Sequence, residues 1–182
     1  MPDIVDFSLG RGEEMNLRTV ELMREIVRNR RHHAGLRELA LSVLREAKVP
    51  SQDYLREAIA LGTFVQNAVT YRKDTAGVEQ LYDPVMMVQR MERGASEGDC
   101  DDHSLLLATL LVAIGHTPYF RIVRYREGSP SYNHIYVVDY VTVRNKEGKP
   151  VRFRLPLDTI FKLPKIMGYE VRHDEGREIP AV

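Results

Sequence analysis

The chain has 182 residues, of which 43% are hydrophobic and 29% charged, as in ordinary globular proteins. Basic and acidic residues both number 26, so the net charge of zero argues against a chain-wide attraction to nucleic acid or to an anionic membrane. A single cysteine excludes an intrachain disulfide, and no apolar run approaches the roughly 18 residues that a membrane-spanning helix needs. The N-terminal residues lack a basic segment followed by an apolar run, so we expect no secretory signal and a cytoplasmic location.

Apolar side chains at helical spacing predict helices over 15–30, 36–47 and 55–67. We expect residues 1–13 to form an irregular arm and residues 68–82 to be irregular as well. The basic run at 28–33 has no interleaved aromatic residues and is flanked by glutamates, so we interpret it as a solvated helix end. We therefore expect no nucleic-acid binding there.

The second half of the chain changes from helical to alternating patterns. Asp83 and Pro84 begin a short helix that ends at Gly94, and a strongly apolar helix follows from Cys100 to Gly115. Strands are predicted over 119–125, 131–143 and 151–155, and the residues beyond about 161 show little periodicity. Helices first and a meander of antiparallel strands last are typical of an α+β fold.

Cys100 stands where a turn becomes the apolar helix, with Gly98 and Asp99 as the entry signals. Unpaired backbone N–H groups and the positive end of the helix dipole occur at such a start. Both favour a thiolate, which is the reactive form of cysteine. The position therefore indicates a candidate nucleophile.

A cysteine nucleophile needs a nearby base, and the base needs a third group that fixes its tautomer. Among the six histidines, His134 lies within a predicted strand and shares one face with Tyr132 and Tyr136. Asp158 closes the next strand, where its carboxylate could face His134 across the two strands. A histidine satisfied in the core and an aspartate in an ordinary turn remain the alternatives at this point.

These motifs resemble those of a known group of enzymes. The residues that carry the resemblance are Gly98-Asp99-Cys100-Asp101-Asp102 before a leucine-rich helix, the strand 133–137, the pair 157–158 and, upstream, 64–71, 74, 77–79 and 83–84. From about Leu55 to Thr159 the chain resembles the transglutaminase-like superfamily of papain-type cysteine enzymes. More narrowly, it is similar to small phage and prophage transglutaminase-like proteins.

The resemblance implies a single domain over 1–182 with a papain- or transglutaminase-like core. We expect an N-terminal helical extension at 1–50, a catalytic core at about 55–159 and a tail at 160–182. Cys100 would be the nucleophile, His134 the general base and acid, and Asp158 the orienting carboxylate. Gln66 would join the Cys100 backbone N–H as an oxyanion donor.

The implied reaction opens a peptide or isopeptide amide through a thioester, followed by hydrolysis or by transfer to an amine. We expect a protein or peptide substrate, with other phage structural proteins as partners, in the host cytoplasm or associated with the virion. No cofactor and no metal are expected, although Asp99, Asp102 and His103 raise a metal site as an alternative.

Two departures from the family pattern matter. Many eukaryotic transglutaminases have Trp after the nucleophile, whereas Asp101 follows here and the chain has no Trp, which favours a protease or amidase over a cross-linking enzyme. Asp99, Asp101 and Asp102 also place negative charge beside the thiol, which opposes the thiolate. The alternative function is therefore a weak or inactive transglutaminase-like domain that serves in phage assembly or protein binding.

Overall fold

The structure is a computed structural model that describes residues 4–8, 13–74, 78–125, 131–161, 167–170, 172–173 and 175–182. The helices are α1 (Glu13–Arg30), α2 (Ala34–Glu46), α3 (Tyr54–Ala68), α4 (Pro84–Glu92) and α5 (Cys100–Ala113). The strands are β1 (Ile4–Ser8), β2 (Thr70–Tyr71), β3 (Val78–Tyr82), β4 (Glu97–Gly98), β5 (Tyr119–Val123), β6 (His134–Arg144), β7 (Pro150–Leu157) and β8 (Gly176–Pro180).

Three helices begin at aspartate caps, of which Asp83 and Asp99 are predicted from the sequence. Asp53, Asp83 and Asp99 are the N-caps of α3, α4 and α5, and each side chain accepts a backbone N–H of the following turn. Pro84 occupies the first turn of α4, where its missing N–H removes no helical hydrogen bond. Beyond α5, Gly115 has a positive φ of 99°, which glycine adopts readily, and the chain leaves the helix there.

The main sheet is antiparallel and has the strand order β7-β6-β5-β8. Strands β5, β6 and β7 form the predicted meander, so the α+β order of helices first and sheet last is confirmed. The prediction that the tail at 160–182 lacks regular structure was wrong in part, because it contains β8, which pairs with β5. Only Ile179 of this edge strand is buried, which leaves no alternation to detect in the sequence.

The predictions of an irregular arm at 1–13 and of an irregular stretch at 68–82 were also wrong in part. Strand β1 pairs with β3 in an antiparallel ladder, and β2 pairs with β4 in a parallel one. The strands of the second pair have two residues each, too few for a side-chain period to be visible. Their pairing comes from backbone hydrogen bonds between distant segments, which local sequence does not report.

Helix α5 lies at the centre of the fold. It contacts α1, α2, α3 and α4 as well as β6, and every residue of the helix except Cys100 and Val112 is buried. A helix that is buried on all sides is apolar all round, which explains the run of leucines at 105–107. One hydrophobic cluster runs from Val20 in α1 to Ile179 in β8, so the N-terminal helices pack on the same core as the sheet.

Within the described residues, no helix combines the length and the apolar character needed to cross a lipid bilayer.

Candidate active site

Cys100 is the first residue of α5, and its side chain is partly buried. The Asp99 carboxylate accepts the Asp101 N–H at 3.3 Å, while the Asp102 carboxylate accepts the Asp99 N–H at 3.3 Å. These reciprocal bonds fix the turn from which the Cys100 side chain projects. Gly98 is required here, because a Cβ at that position would lie 2.7 Å from the Asp102 Oδ2 atom.

His134 and Asp158 lie at neighbouring strand ends. His134 is the first residue of β6, and Asp158 follows the last residue of β7, where the ladder pairs Val137 with Leu157. The Nε2 atom of His134 is 2.7 Å from the Asp158 Oδ2 atom, and both residues are buried. When the Asp158 carboxylate accepts a hydrogen bond from Nε2–H, the proton stays on Nε2 and Nδ1 is the basic nitrogen of the neutral ring.

Aromatic rings surround the imidazole of His134. The ring centroids of Tyr136 and Phe161 both lie 5.6 Å from that of His134, and the centroid of Tyr125 lies 6.1 Å away. Rings at these distances restrict the rotation of the imidazole. The hydrogen bond to Asp158 and this packing together hold the ring in one orientation.

Cys100 and His134 line one cavity of about 210 Å³. Helix α1 contributes Thr19 and Val20 to its wall, and Tyr71 and Lys73 contribute from β2 and the residues after it. The structure thus brings the sequence-predicted nucleophile and base to a shared cavity, with Asp158 behind the base. Part of the segment predicted as an extension also lines this cavity.

Two consecutive side chains of α5 join the nucleophile helix to the other two strand ends. The Ser104 hydroxyl lies 3.2 Å from the Ile135 carbonyl oxygen and 2.6 Å from that of Cys100. The Nδ1 atom of His103 lies 3.2 Å from the Thr159 Oγ1 atom, beside Asp158. The spacing between α5 and both strand ends is therefore set by direct hydrogen bonds.

Gln66 makes a long-range hydrogen bond that the sequence does not indicate. Its buried amide donates to the Phe161 carbonyl oxygen at 2.6 Å, and it is not among the side chains that line the Cys100 cavity. The amide therefore anchors the chain segment whose aromatic ring packs on His134. We do not carry Gln66 forward as an oxyanion donor.

Burial affects two of the carboxyl groups beside Cys100, those of Asp101 and Asp102. Burial raises the pKa of Asp101 well above its ordinary value, and the nearby charge of Asp99 raises it further. Burial also raises the pKa of Asp102, although the Tyr82 N–H, at 2.8 Å from its Oδ1 atom, opposes the shift. The raised pKa values favour the neutral carboxyl groups, which oppose a Cys100 thiolate less than carboxylates do.

Asp99, Asp101 and Asp102 are also the residues that could hold a metal ion. One oxygen from each lies within 4.8 Å of the others, and hard cations prefer oxygen ligands. However, Asp102 uses both oxygens for backbone N–H groups, and one oxygen of Asp101 accepts the Asp102 N–H at 2.8 Å. The absence of a metal requirement stays a prediction.

Another buried histidine, His116, forms a separate network that sequence reasoning missed. The Nδ1 atom of His116 is 2.5 Å from Asp139, and Nε2 is 3.1 Å from Glu57. Burial alone lowers the pKa of His116, but the hydrogen bonds and charges of the two carboxylates outweigh burial and raise it. This network joins α3, β6 and the residues before β5, so its role is structural.

No family model and no curated protein matches the chain. Among solved structures, Legionella pneumophila LapG is similar with a TM-score of 0.42 and 16% sequence identity, over 81% of this chain and 75% of that chain. A similarity of this size does not assign the chain to a family. Its function has to be argued from the geometry of the site.

Proposed function

We propose that the chain is a cysteine-dependent hydrolase or acyltransferase that acts on peptide or isopeptide amide bonds. The observation that carries the proposal is the shared cavity of Cys100 and His134, with the Nε2 atom of His134 held 2.7 Å from Asp158. A nucleophile at a helix start, a base and an orienting carboxylate are the parts that amide cleavage through a thioester requires.

In the proposed reaction, His134 Nδ1 takes the proton from the Cys100 thiol. The Cys100 sulfur then attacks the amide carbonyl carbon, and the Cys100 backbone N–H donates a hydrogen bond to the oxyanion. The C–N bond breaks as His134 returns the proton to the leaving amine, which leaves a thioester. Water or a second amine, deprotonated by His134, attacks the thioester and restores the thiol, giving an acid or a new amide.

The finer assignment is a transglutaminase-like core within a papain-type fold. It is supported by the order of the three residues, with Cys100 at the start of the buried helix, His134 at a strand start and Asp158 at the end of the next strand. Many eukaryotic transglutaminases have Trp directly after the nucleophile, whereas this chain has Asp101 there and no Trp at all. This difference favours hydrolysis over cross-linking. The proposed substrate is a protein or peptide.

The second candidate is a weak or inactive domain of this fold that serves in phage assembly or in protein binding. It is favoured by the three carboxylates beside Cys100, whose negative charge opposes formation of a thiolate. This candidate predicts that the cavity binds a protein segment without turnover.

Labelling with a peptidyl acyloxymethyl ketone, which reacts with activated cysteines, tests the first candidate against the second. We expect mass spectrometry to find the label on Cys100 in the native chain. The label should disappear in Cys100→Ala and fall at least tenfold in His134→Ala. His32→Ala is the matched control, because His32 is exposed and lies outside the cavity. A folded native chain that remains unlabelled would contradict the enzyme and support the binding domain.

A further inference from the structure

The oxyanion of a thioester-forming enzyme needs more than one hydrogen-bond donor. The Cys100 backbone N–H provides the first, and Gln66 is bonded to Phe161 instead. We propose that the phenol of Tyr71 is the second oxyanion donor and therefore a catalytic residue. This inference rests on the proposed function.

The backbone fixes Tyr71 beside the segment that leads into the nucleophile. In the parallel β2–β4 pair, Tyr71 lies opposite Gly98, and the N–H of Arg72 donates to the Gly98 carbonyl oxygen at 2.9 Å. Gly98 is followed by the N-cap Asp99 and then by Cys100. A short, hydrogen-bonded connection thus sets the position of Tyr71 relative to the nucleophile.

The side chain of Tyr71 faces the same cavity as Cys100 and His134. Its ring centroid lies 6.5 Å from that of His103, so the ring stands against the first turns of α5. With 44% of its surface exposed, the residue is not part of the core. Its position is therefore explained better by a role in the cavity than by packing.

The electrostatic environment keeps this phenol protonated. Partial burial raises the pKa of Tyr71, and the negative charges of Cys100, Asp99 and Asp101 raise it further. The contribution of Cys100 agrees with the place of both side chains in one cavity. A neutral phenol beside the nucleophile donates a hydrogen bond without transferring a proton, as an oxyanion requires.

Other donors that line the cavity include Tyr132, Asn133 and Lys73. The Tyr132 hydroxyl is directed at Glu175, 3.5 Å away, and the Asn133 side-chain oxygen accepts the Tyr125 N–H at 2.8 Å, which fixes the orientation of that amide. Lys73 is exposed, and its ammonium group is on a flexible stem that water solvates well. Tyr71 combines a fixed backbone, a place in the cavity and electrostatic coupling to Cys100.

The test compares two reagents on the same thiol. Acylation by p-nitrophenyl acetate passes through a tetrahedral oxyanion, whereas alkylation by iodoacetamide does not. For Tyr71→Phe we expect acylation of Cys100 to slow by about 10²-fold, the loss seen when one oxyanion donor is removed. The rate and pH dependence of alkylation should stay within about twofold of the parent chain, since the expected loss is confined to the oxyanion step.

Tyr169→Phe is the matched control, because Tyr169 has 46% of its surface exposed and lines a different groove. It should leave both rates unchanged. Acylation at the parent rate in Tyr71→Phe, or an equal loss in both reactions, would overturn the role of Tyr71. If acylation of the parent chain is instead no faster than in His134→Ala, the proposed function itself fails. Urea unfolding checks that the variants are folded.

Discussion

The Ser104 hydroxyl lies 3.2 Å from the carbonyl oxygen of Ile135, the residue after His134. It also lies 2.6 Å from the carbonyl oxygen of Cys100, one turn earlier on the same helix. One side chain thus contacts the backbone of the proposed nucleophile and the backbone next to the proposed base. The alignment of the two groups depends on this link as well as on general packing.

Ser104→Ala should lower the free energy of unfolding by about 1–3 kcal/mol, because a buried carbonyl loses its donor. It should also slow acylation of Cys100 by p-nitrophenyl acetate, since the α5–β6 spacing is no longer held. Urea unfolding and the acylation rate are the measurements. Ser42→Ala is the control, because the Ser42 hydroxyl bonds only within α2, to the Leu39 carbonyl oxygen at 2.8 Å. Equal effects of the two changes would contradict the linking role.

Asp158→Asn should reduce acylation by about 10²- to 10⁴-fold while the chain stays folded. The amide keeps the shape of the side chain, but it no longer stabilises the imidazolium or fixes the Nε2-protonated tautomer of His134. The rate of p-nitrophenyl acetate acylation between pH 5 and 9 measures the effect. Asp53→Asn, at the N-cap of α3, is the control and should leave the rate unchanged. A parent-like rate in Asp158→Asn would remove Asp158 from the mechanism.

The His116 network predicts a stability that depends on pH. The folded pKa of His116 is raised above its ordinary value, so its contribution is fully present below about pH 6.5 and is lost as the pH rises through the folded pKa. Urea unfolding at a series of pH values should show this loss. Glu57→Gln removes one of the two carboxylates and should shift the loss to lower pH. Superimposable pH profiles for the two chains would contradict the assignment.

Asp101→Asn should raise the free energy of unfolding at pH 7. The folded pKa of Asp101 is raised, so the carboxyl group destabilises the fold increasingly as the pH rises above its unfolded pKa of about 3.8. The side-chain oxygen of asparagine can still accept the Asp102 N–H. Urea unfolding at pH 5 and 7 measures the difference, and a loss of stability would indicate that the ionised carboxylate has a partner.

Asp102→Asn gives the contrasting case. Both Asp102 oxygens accept backbone N–H groups, from Tyr82 at 2.8 Å and Asp99 at 3.3 Å. An amide would direct its own N–H group at one of these donors, so at pH 7 Asp102→Asn should be less stable than Asp101→Asn by about 1–3 kcal/mol. The same urea series compares the two variants, and equal stabilities would show that these backbone bonds matter little.

The helices and the main sheet could be predicted because their signals are local. Apolar spacing marks the helices, aspartates at 83 and 99 mark two helix starts, and alternation marks β5 to β7. The strand pairs β1–β3 and β2–β4 could not be predicted, because backbone hydrogen bonds between distant residues leave no periodic pattern in the sequence. The placement of Tyr71 depends on one of these pairs, so it escaped sequence reasoning.

The same distinction applies to the candidate site. Cys100 is marked by its place at a helix start, and His134 and Asp158 by their places on consecutive strands. The contacts of Gln66 with Phe161, and of His116 with Glu57 and Asp139, join residues far apart in the chain. Residue type alone gives no indication of such pairs, so these contacts could not be predicted from the sequence.

The central claim is that Cys100 and His134 form an activated thiolate–imidazole pair. The most direct measurement is the rate of Cys100 alkylation by iodoacetamide against pH, for the native and the urea-unfolded chain, because the chain has one cysteine. The account predicts a native rate that exceeds the unfolded one and persists well below the ordinary thiol pKa of about 8.5, and that is lost in His134→Ala. A native rate that follows or falls below the unfolded rate at every pH would contradict it.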